Sequence, residues 1–195
     1  INKILFRSEF IRSNWNKLNY ESDILPSPVD LQYENFEHNK NKDVLIISKL
    51  IDRKNIIQTL DIILLNTNLS ITLIGDGPLK EKIIDAFSFE IDNGRLVYKG
   101  FIHSKKLILK EYSNHRYFVL ISHLEAFGLV YVEAILNNCI VFCHYSSGIA
   151  TFLEDGYSGF LLGDVKNLPS KLNIASSLSD EKKKIITKNA KKVIK

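Results

Sequence analysis

Glu125-Ala126-Phe127-Gly128-Leu129-Val130-Tyr131-Val132-Glu133 is the stretch whose reading decides the fold. It places two carboxylates eight positions apart, with Phe-Gly soon after the first and Glu-Ala inside an apolar run. Just before it, residues 117–121 (YFVLI) read as a buried strand, and 129–138 carry helical spacing. Glu125 then falls in a strand-to-helix turn, and Glu133 projects from the helix one turn in. An open α/β sheet binds its ligands at that place, the crevice beyond the carboxyl ends of its strands. Two acids there suit hydroxyls. The N–H groups of Phe127, Gly128 and Leu129, which a helix leaves unpaired at its start, suit an anion. A ligand with hydroxyls and phosphate together, a sugar nucleotide, meets both demands.

The same alternation continues in both directions. Residues 43–48 (DVLIIS) form a short apolar strand, and 55–66 space Ile56, Leu60, Ile63 and Leu64 as a helix would. Residues 70–74 are a second strand, Pro78 opens a helix to about Phe89, and 96–98 are a third strand. A helix over 105–112 precedes the 117–121 strand, and 140–143 and 160–162 are later strands. The fold class expected is α/β: a Rossmann-like, mainly parallel sheet with helices on both faces. Upstream, Lys3 to Phe6 reads as a strand, 8–18 as a helix capped by Ser8, 22–25 as a strand, and 35–42 as a polar loop.

Composition narrows the class of protein. The chain of 195 residues is 45% hydrophobic and 25% charged, which suits a soluble globular fold with a full core. No apolar run approaches the roughly 20 residues of a membrane-spanning helix. It begins at Ile1 and has no Met, so it is expected to start inside a longer gene product. Cys139 and Cys143 flank a predicted strand, too far apart there for a disulfide and without a second pair for zinc, which suits a reducing cytoplasm. The net charge of +4 owes much to the lysines of the last fifteen residues. Ser179-Asp180-Glu181 opens a helix there, with Ile185, Ile186, Val193 and Ile194 assigned to one face. A docked amphipathic helix with solvated lysines is the plain reading; contact with an anionic membrane surface is the second.

Several ordered motifs on this frame resemble the C-terminal, nucleotide-sugar-binding half of family-four retaining glycosyltransferases of the GT-B type. Pro26-Ser27-Pro28-Val29-Asp30 resembles the turn after that half's first strand. Ser48-Lys49-Leu50 with Lys54-Asn55 resembles its Gly-Arg-Leu and Lys-Gly pair, and Gly75-Asp76-Gly77-Pro78-Leu79 its Gly-x-Gly-Pro turn. Gly100-Phe101-Ile102 resembles the next loop, Glu125 to Glu133 the Glu-x7-Glu motif, and Glu154-Asp155-Gly156 with Gly159-Phe160-Leu161 the late turns. The chain departs from the pattern at Lys49, where Arg is more usual, and at Ser48 and Asn55, where Gly is.

The resemblance implies roles. Glu133 would accept from the two ribose hydroxyls, and Glu125 would contact the transferred sugar near its reacting carbon. Lys49 and Lys54 would neutralise the pyrophosphate, helped by backbone amides over Ala126, Phe127, Gly128 and Leu129. Ile102 would offer backbone atoms to the base. Gly75 most simply serves a tight turn, with ligand approach as a further reading. His103, His123 and His144 are read as structural, and no general base is assigned. The counter-charge comes from lysines and a helix terminus, so no metal and no cofactor beyond the donor substrate are expected.

The expected division is 1–20 as the tail of an absent N-terminal acceptor domain, 21–178 as the donor-binding domain, and 179–195 as a basic amphipathic helix. The expected activity is retaining transfer of a hexose-type sugar to a glycan or lipid-linked acceptor, as in polysaccharide assembly. The partners are the nucleotide-sugar donor, the N-terminal domain and the acceptor, with no nucleic acid. The location is cytoplasmic, with peripheral contact at the inner membrane surface as the second reading. A sugar-nucleotide epimerase on the same scaffold, or a non-catalytic nucleotide- or partner-binding module, are the alternatives.

Overall fold

The computed structural model describes residues 40–123 and 125–194, with the backbone of two short segments, 4–6 and 22–24. Those segments are strands β1 (Ile4–Phe6) and β2 (Ser22–Ile24), paired in parallel with Ile4 opposite Ser22. The helix expected over 8–18, the 26–30 turn and most of the 35–42 loop lie outside the described residues.

From Lys42 the chain alternates strands and helices. The strands are β3 (Lys42–Ile47), β4 (Ile71–Ile74), β5 (Leu96–Tyr98), β6 (His115–Leu120), β7 (Ile140–His144) and β8 (Phe160–Leu162). They make one sheet in the order β5-β4-β3-β6-β7-β8, parallel throughout. Central strands of such a sheet are covered on both faces, and Val44, Leu45, Ile46, Phe118 and Val119 are accordingly fully buried. The chain steps from β3 to one edge, then returns beside β3 as β6 and steps to the other. The strand order therefore reverses between β3 and β6, and connections leaving those two strands diverge to open a crevice.

Helix α1 (Ile56–Asn66) buries Ile56, Leu60, Ile63 and Leu64, the spacing legible in the sequence. The single helix expected from Pro78 to Phe89 is instead two, α2 (Lys80–Ala86) and α3 (Ser88–Asp92). The break falls at Phe87, whose backbone leaves helical geometry while its side chain is buried and that of Phe89 stays exposed. Helix α4 (Lys105–Asn114) starts on Ser104, whose hydroxyl accepts from the Leu107 N–H. Helix α5 (Leu129–Leu136) follows β6, and the unanticipated α6 (Leu168–Ser177) follows β8. Pro169 sits in the first turn of α6, where its missing N–H has no partner to lose.

The last helix, α7 (Asp180–Val193), is capped by Ser179 as the sequence suggested. Its buried face differs from the expected one. Ile186, Thr187, Asn189 and Ala190 are buried and Ile194 packs against the core as expected, whereas Ile185 and Val193 are exposed, because the stripe that faces the core follows the i, i+3, i+4 spacing set by Ile186 and Ala190. Among the described residues no helix is long and apolar enough to cross a membrane. Both cysteines are buried free thiols, and burial raises their pKa values, that of Cys143 to about 12.

His115 opens β6 inside the core with no exposure. Its Nδ1 lies 2.6 Å from the Glu111 carbonyl and so carries the proton; its Nε2 accepts from the Thr72 hydroxyl at 2.9 Å. Burial lowers its pKa from 6.5 to about 4. The folded value lies below the unfolded one, so acid favours the unfolded state. The stability His115 contributes is full above pH 6.5 and is lost as pH falls towards 4, in all about 3 kcal/mol. Denaturation midpoints of the chain and of His115→Gln, compared from pH 7 to 4, are expected to converge as the pH falls. Parallel profiles would show that His115 does not set this slope.

Candidate functional site

The crevice between β3 and β6 is built from two loops that bond to one another. The loop after β3 runs over Ser48-Lys49-Leu50 into a short 3-10 turn, Asp52–Lys54, and closes at Asn55 in the left-handed region (φ 53). Asparagine tolerates that conformation better than most side-chain-bearing residues, so Asn55 can stand where the resembling family has Gly. The loop after β6 docks on it. The His123 N–H donates to the Arg53 carbonyl at 3.1 Å, and the Ser122 hydroxyl to the same oxygen at 3.3 Å.

Lys54 and Glu125 are brought together from the two loops. The Lys54 ammonium donates to Glu125 Oε2, and their side chains are 10% and 14% exposed. A pair this far from water gains much of its Coulomb energy in a low dielectric. The Glu125 backbone is held as well, its carbonyl accepting from the Gly148 N–H at 2.8 Å. Lys49 is exposed on the rim of the crevice.

Three residues on, Gly128 (φ 73) is the N-cap of α5, and no side chain caps the helix start. An added Cβ there would meet the Tyr131 ring at 2.5 Å, and Tyr131 is pinned by donating to the Leu120 carbonyl at 2.7 Å. The turn is therefore glycine's by conformation and by space. Among the described residues no carbonyl or side chain accepts from the N–H groups of Phe127, Gly128 or Leu129. The Phe127 side chain is buried edge-on to Phe152, while Leu129 is exposed at the tip.

Glu133 does not share a partner with Glu125. It lies on α5, half-buried, and accepts from the Tyr112 hydroxyl at 3.2 Å. Burial raises its pKa above the ordinary carboxylate value, only partly offset by that hydrogen bond. The resulting geometry is a neutralised Lys–Glu pair, a helix start with open N–H groups, and a second, poorly solvated acid further along the same helix.

Gly75 is buried beneath this arrangement. Its N–H donates to the Gly100 carbonyl at 2.8 Å, its carbonyl accepts from the Tyr98 hydroxyl at 3.0 Å, and its α-carbon abuts the Ser48 carbonyl. Ile102 is half-buried beside the exposed Phe101. His144, one of the histidines read as structural, bonds Ser146 and the Gly163 carbonyl, and the His123 ring packs against it at 4.8 Å. Sequence reasoning missed Tyr112 as the partner of Glu133 and Gly148 as the anchor of Glu125; neither has a local sequence signal. Among the described residues no three His, Cys, Asp or Glu side chains converge as metal ligands would.

The sequence signature of glycosyl transferases group 1 matches residues 30–193. The chain belongs to that family. No curated protein matches the sequence. Among solved structures, this group 1 chain resembles S. aureus TarM, whose crystals contain UDP, fondaparinux and α-GlcNAc-glycerol, at 20% identity and a TM-score of 0.84. All of the chain aligns, to 40% of TarM. Anabaena HepE in complex with UDP follows at 18% identity and 0.79, over 97% of this chain and 57% of HepE. The C-terminal domain of the group 1 protein LpcC from Francisella tularensis gives 18% and 0.69, over 80% of this chain and 85% of that domain. Likeness at these identities establishes the fold: a group 1 glycosyltransferase chain with the Rossmann-like sheet of GT-B enzymes. It spans less than two thirds of TarM and HepE.

Proposed function

We propose that the chain is the donor-binding part of a retaining glycosyltransferase, which moves a sugar from a nucleoside diphosphate to a glycan or lipid-linked acceptor. The observation that carries this reading is the Lys54–Glu125 pair beside the uncapped start of α5. Open N–H groups and a cation are what a diphosphate needs. Glu125, fixed on both side chain and backbone, would receive hydroxyls of the transferred sugar, and Glu133 the ribose hydroxyls. Lys54 and Lys49 would stabilise the phosphate oxygen as the sugar–oxygen bond breaks, with the acceptor attacking from the same face. Charge supplied this way needs no divalent metal. Hexose transfer, polysaccharide assembly and a cytoplasmic location complete the proposal, as does the division at residues 20 and 178. UDP in the TarM and HepE crystals supports the nucleotide class.

The test is a calorimetric titration with UDP, GDP and ADP, on the chain and on Glu133→Gln. The substitution removes a charged acceptor from two hydrogen bonds, each worth about 1.5–3 kcal/mol, so affinity is expected to fall at least tenfold. Its melting temperature is expected to hold or rise, because a carboxylate that resists ionisation in place is replaced by an amide the Tyr112 hydroxyl can still bond. Undiminished affinity in the variant, or no binding of any of the three nucleotides, would sink the proposal. Transfer by the chain alone is not expected.

A further inference from the structure

At the other end of the sheet, where β3, β6 and β7 begin, lies a cavity of about 620 Å³ lined by Lys40, Arg116, Asn138, Asp180, Lys183 and Lys184 among others. Among the described lining residues four are cationic and one, Asp180, is a carboxylate. Two of the four are committed to the fold. Lys40 Nζ donates to the carbonyls of Tyr112 and Asn137 at 2.8 and 2.7 Å, and Lys183 Nζ donates to that of Ser176 at 3.2 Å. The other two are bonded less. Among the described residues Arg116 bonds only through its Nε, to the Lys40 carbonyl at 2.6 Å, which leaves both terminal guanidinium nitrogens without a hydrogen bond. The Lys184 ammonium has the exposed Glu181 carboxylate, one turn back on the same helix, as its electrostatic neighbour.

The fold aims these groups into the cavity. Arg116 is the one exposed residue of β6, α7 presents Lys183 and Lys184 from its second turn, and Asn138 turns the chain into β7 in the left-handed region (φ 60). A concave surface concentrates the field of like charges, and a free guanidinium fork matches the oxygens of a phosphate. The volume falls within the roughly 300–1,000 Å³ of small-ligand sites. We propose that this cavity is a second anion site, taking the phosphate or diphosphate of an ester other than the donor. The six residues of β3 separate it from the crevice by about 20 Å at ~3.3 Å per residue, so one nucleotide does not reach both.

Inorganic phosphate titrated into the 195-residue chain is the direct probe. Arg116→Ala with Lys184→Ala is expected to weaken one phosphate site by about tenfold or more, given the strength of hydrogen bonds to charged groups. Lys188→Ala with Lys192→Ala removes the same charge from exposed positions of α7 and is expected to leave that site within about twofold. Both pairs alter exposed side chains, equal melting temperatures verify folding, and UDP titrations distinguish this site from the crevice. Phosphatidylcholine vesicles with and without phosphatidylglycerol identify the source of the anion. Capture by the anionic vesicles that the cavity pair abolishes assigns a lipid headgroup; phosphate binding without capture assigns a soluble ester; each upholds the site. No phosphate binding, or equal loss in the two pairs, overturns it.

Discussion

Lys54→Ala is expected to destabilise the chain by about 3–5 kcal/mol and to remove measurable nucleoside-diphosphate binding, because it strands a carboxylate that is largely out of water. Lys54 is 8% exposed, and Glu125 has its ammonium as the charged partner on the side chain. Denaturant melts and calorimetry read the two effects separately. The double change Lys54→Met with Glu125→Gln separates them further. With no charge left stranded, most of the stability returns, while the diphosphate still lacks its cation and binding does not. A Lys54→Ala chain that melts and binds UDP like its parent would show that the pair neither stabilises the crevice nor holds phosphate.

Gly75→Ala is expected to be the most damaging change to the fold, costing at least about 4 kcal/mol or preventing soluble accumulation altogether. A Cβ at Gly75 would fall 1.8 Å from the Ser48 carbonyl oxygen, at a φ of 143 that side chains rarely adopt. Nothing at that contact is the flexible end of a side chain; it is the backbone of the loop that carries Lys49. Gly156→Ala makes a suitable control. That position also has a positive φ (74) but no atom within 4 Å of the new methyl, so only backbone strain of about 1–2 kcal/mol is expected. Equal melting temperatures for the two variants would mean that the Ser48 loop yields easily, and that the crevice is softer than its hydrogen bonds imply.

These two changes mark the limit of what the sequence discloses. The strands were legible because buried parallel strands need unbroken β-branched and aromatic runs; residues 96–98 match β5 to the residue, and β8 falls where a strand near 160–162 is expected. Helix α6 was not, because its buried stripe is only Leu168, Leu172 and Ala175 among polar neighbours, and packing against α1 rather than local pattern selects it. The residue types of the crevice were legible, since one acid in a strand-to-helix turn and a second eight residues on, in the helix, are a local pattern. Their partners were not. Lys54 and Glu125 are 71 positions apart, and only the reversal of strand order between β3 and β6 makes them neighbours. Tyr112 reaches Glu133 from a different helix, and the basic cavity draws on segments around residues 40, 116, 138 and 183 that share no motif.

The two buried thiols, one within β7 and one just before it, make the chain chemically silent towards maleimides and iodoacetamide. Cys139 and Cys143 are 1% and 0% exposed and are held protonated at neutral pH, so neither supplies an accessible thiolate. A cysteine installed at exposed Leu129 would then be the sole labelling point, with no background to remove first. A fluorophore tethered there would sit on the threshold of the crevice and report arrival of the donor in real time.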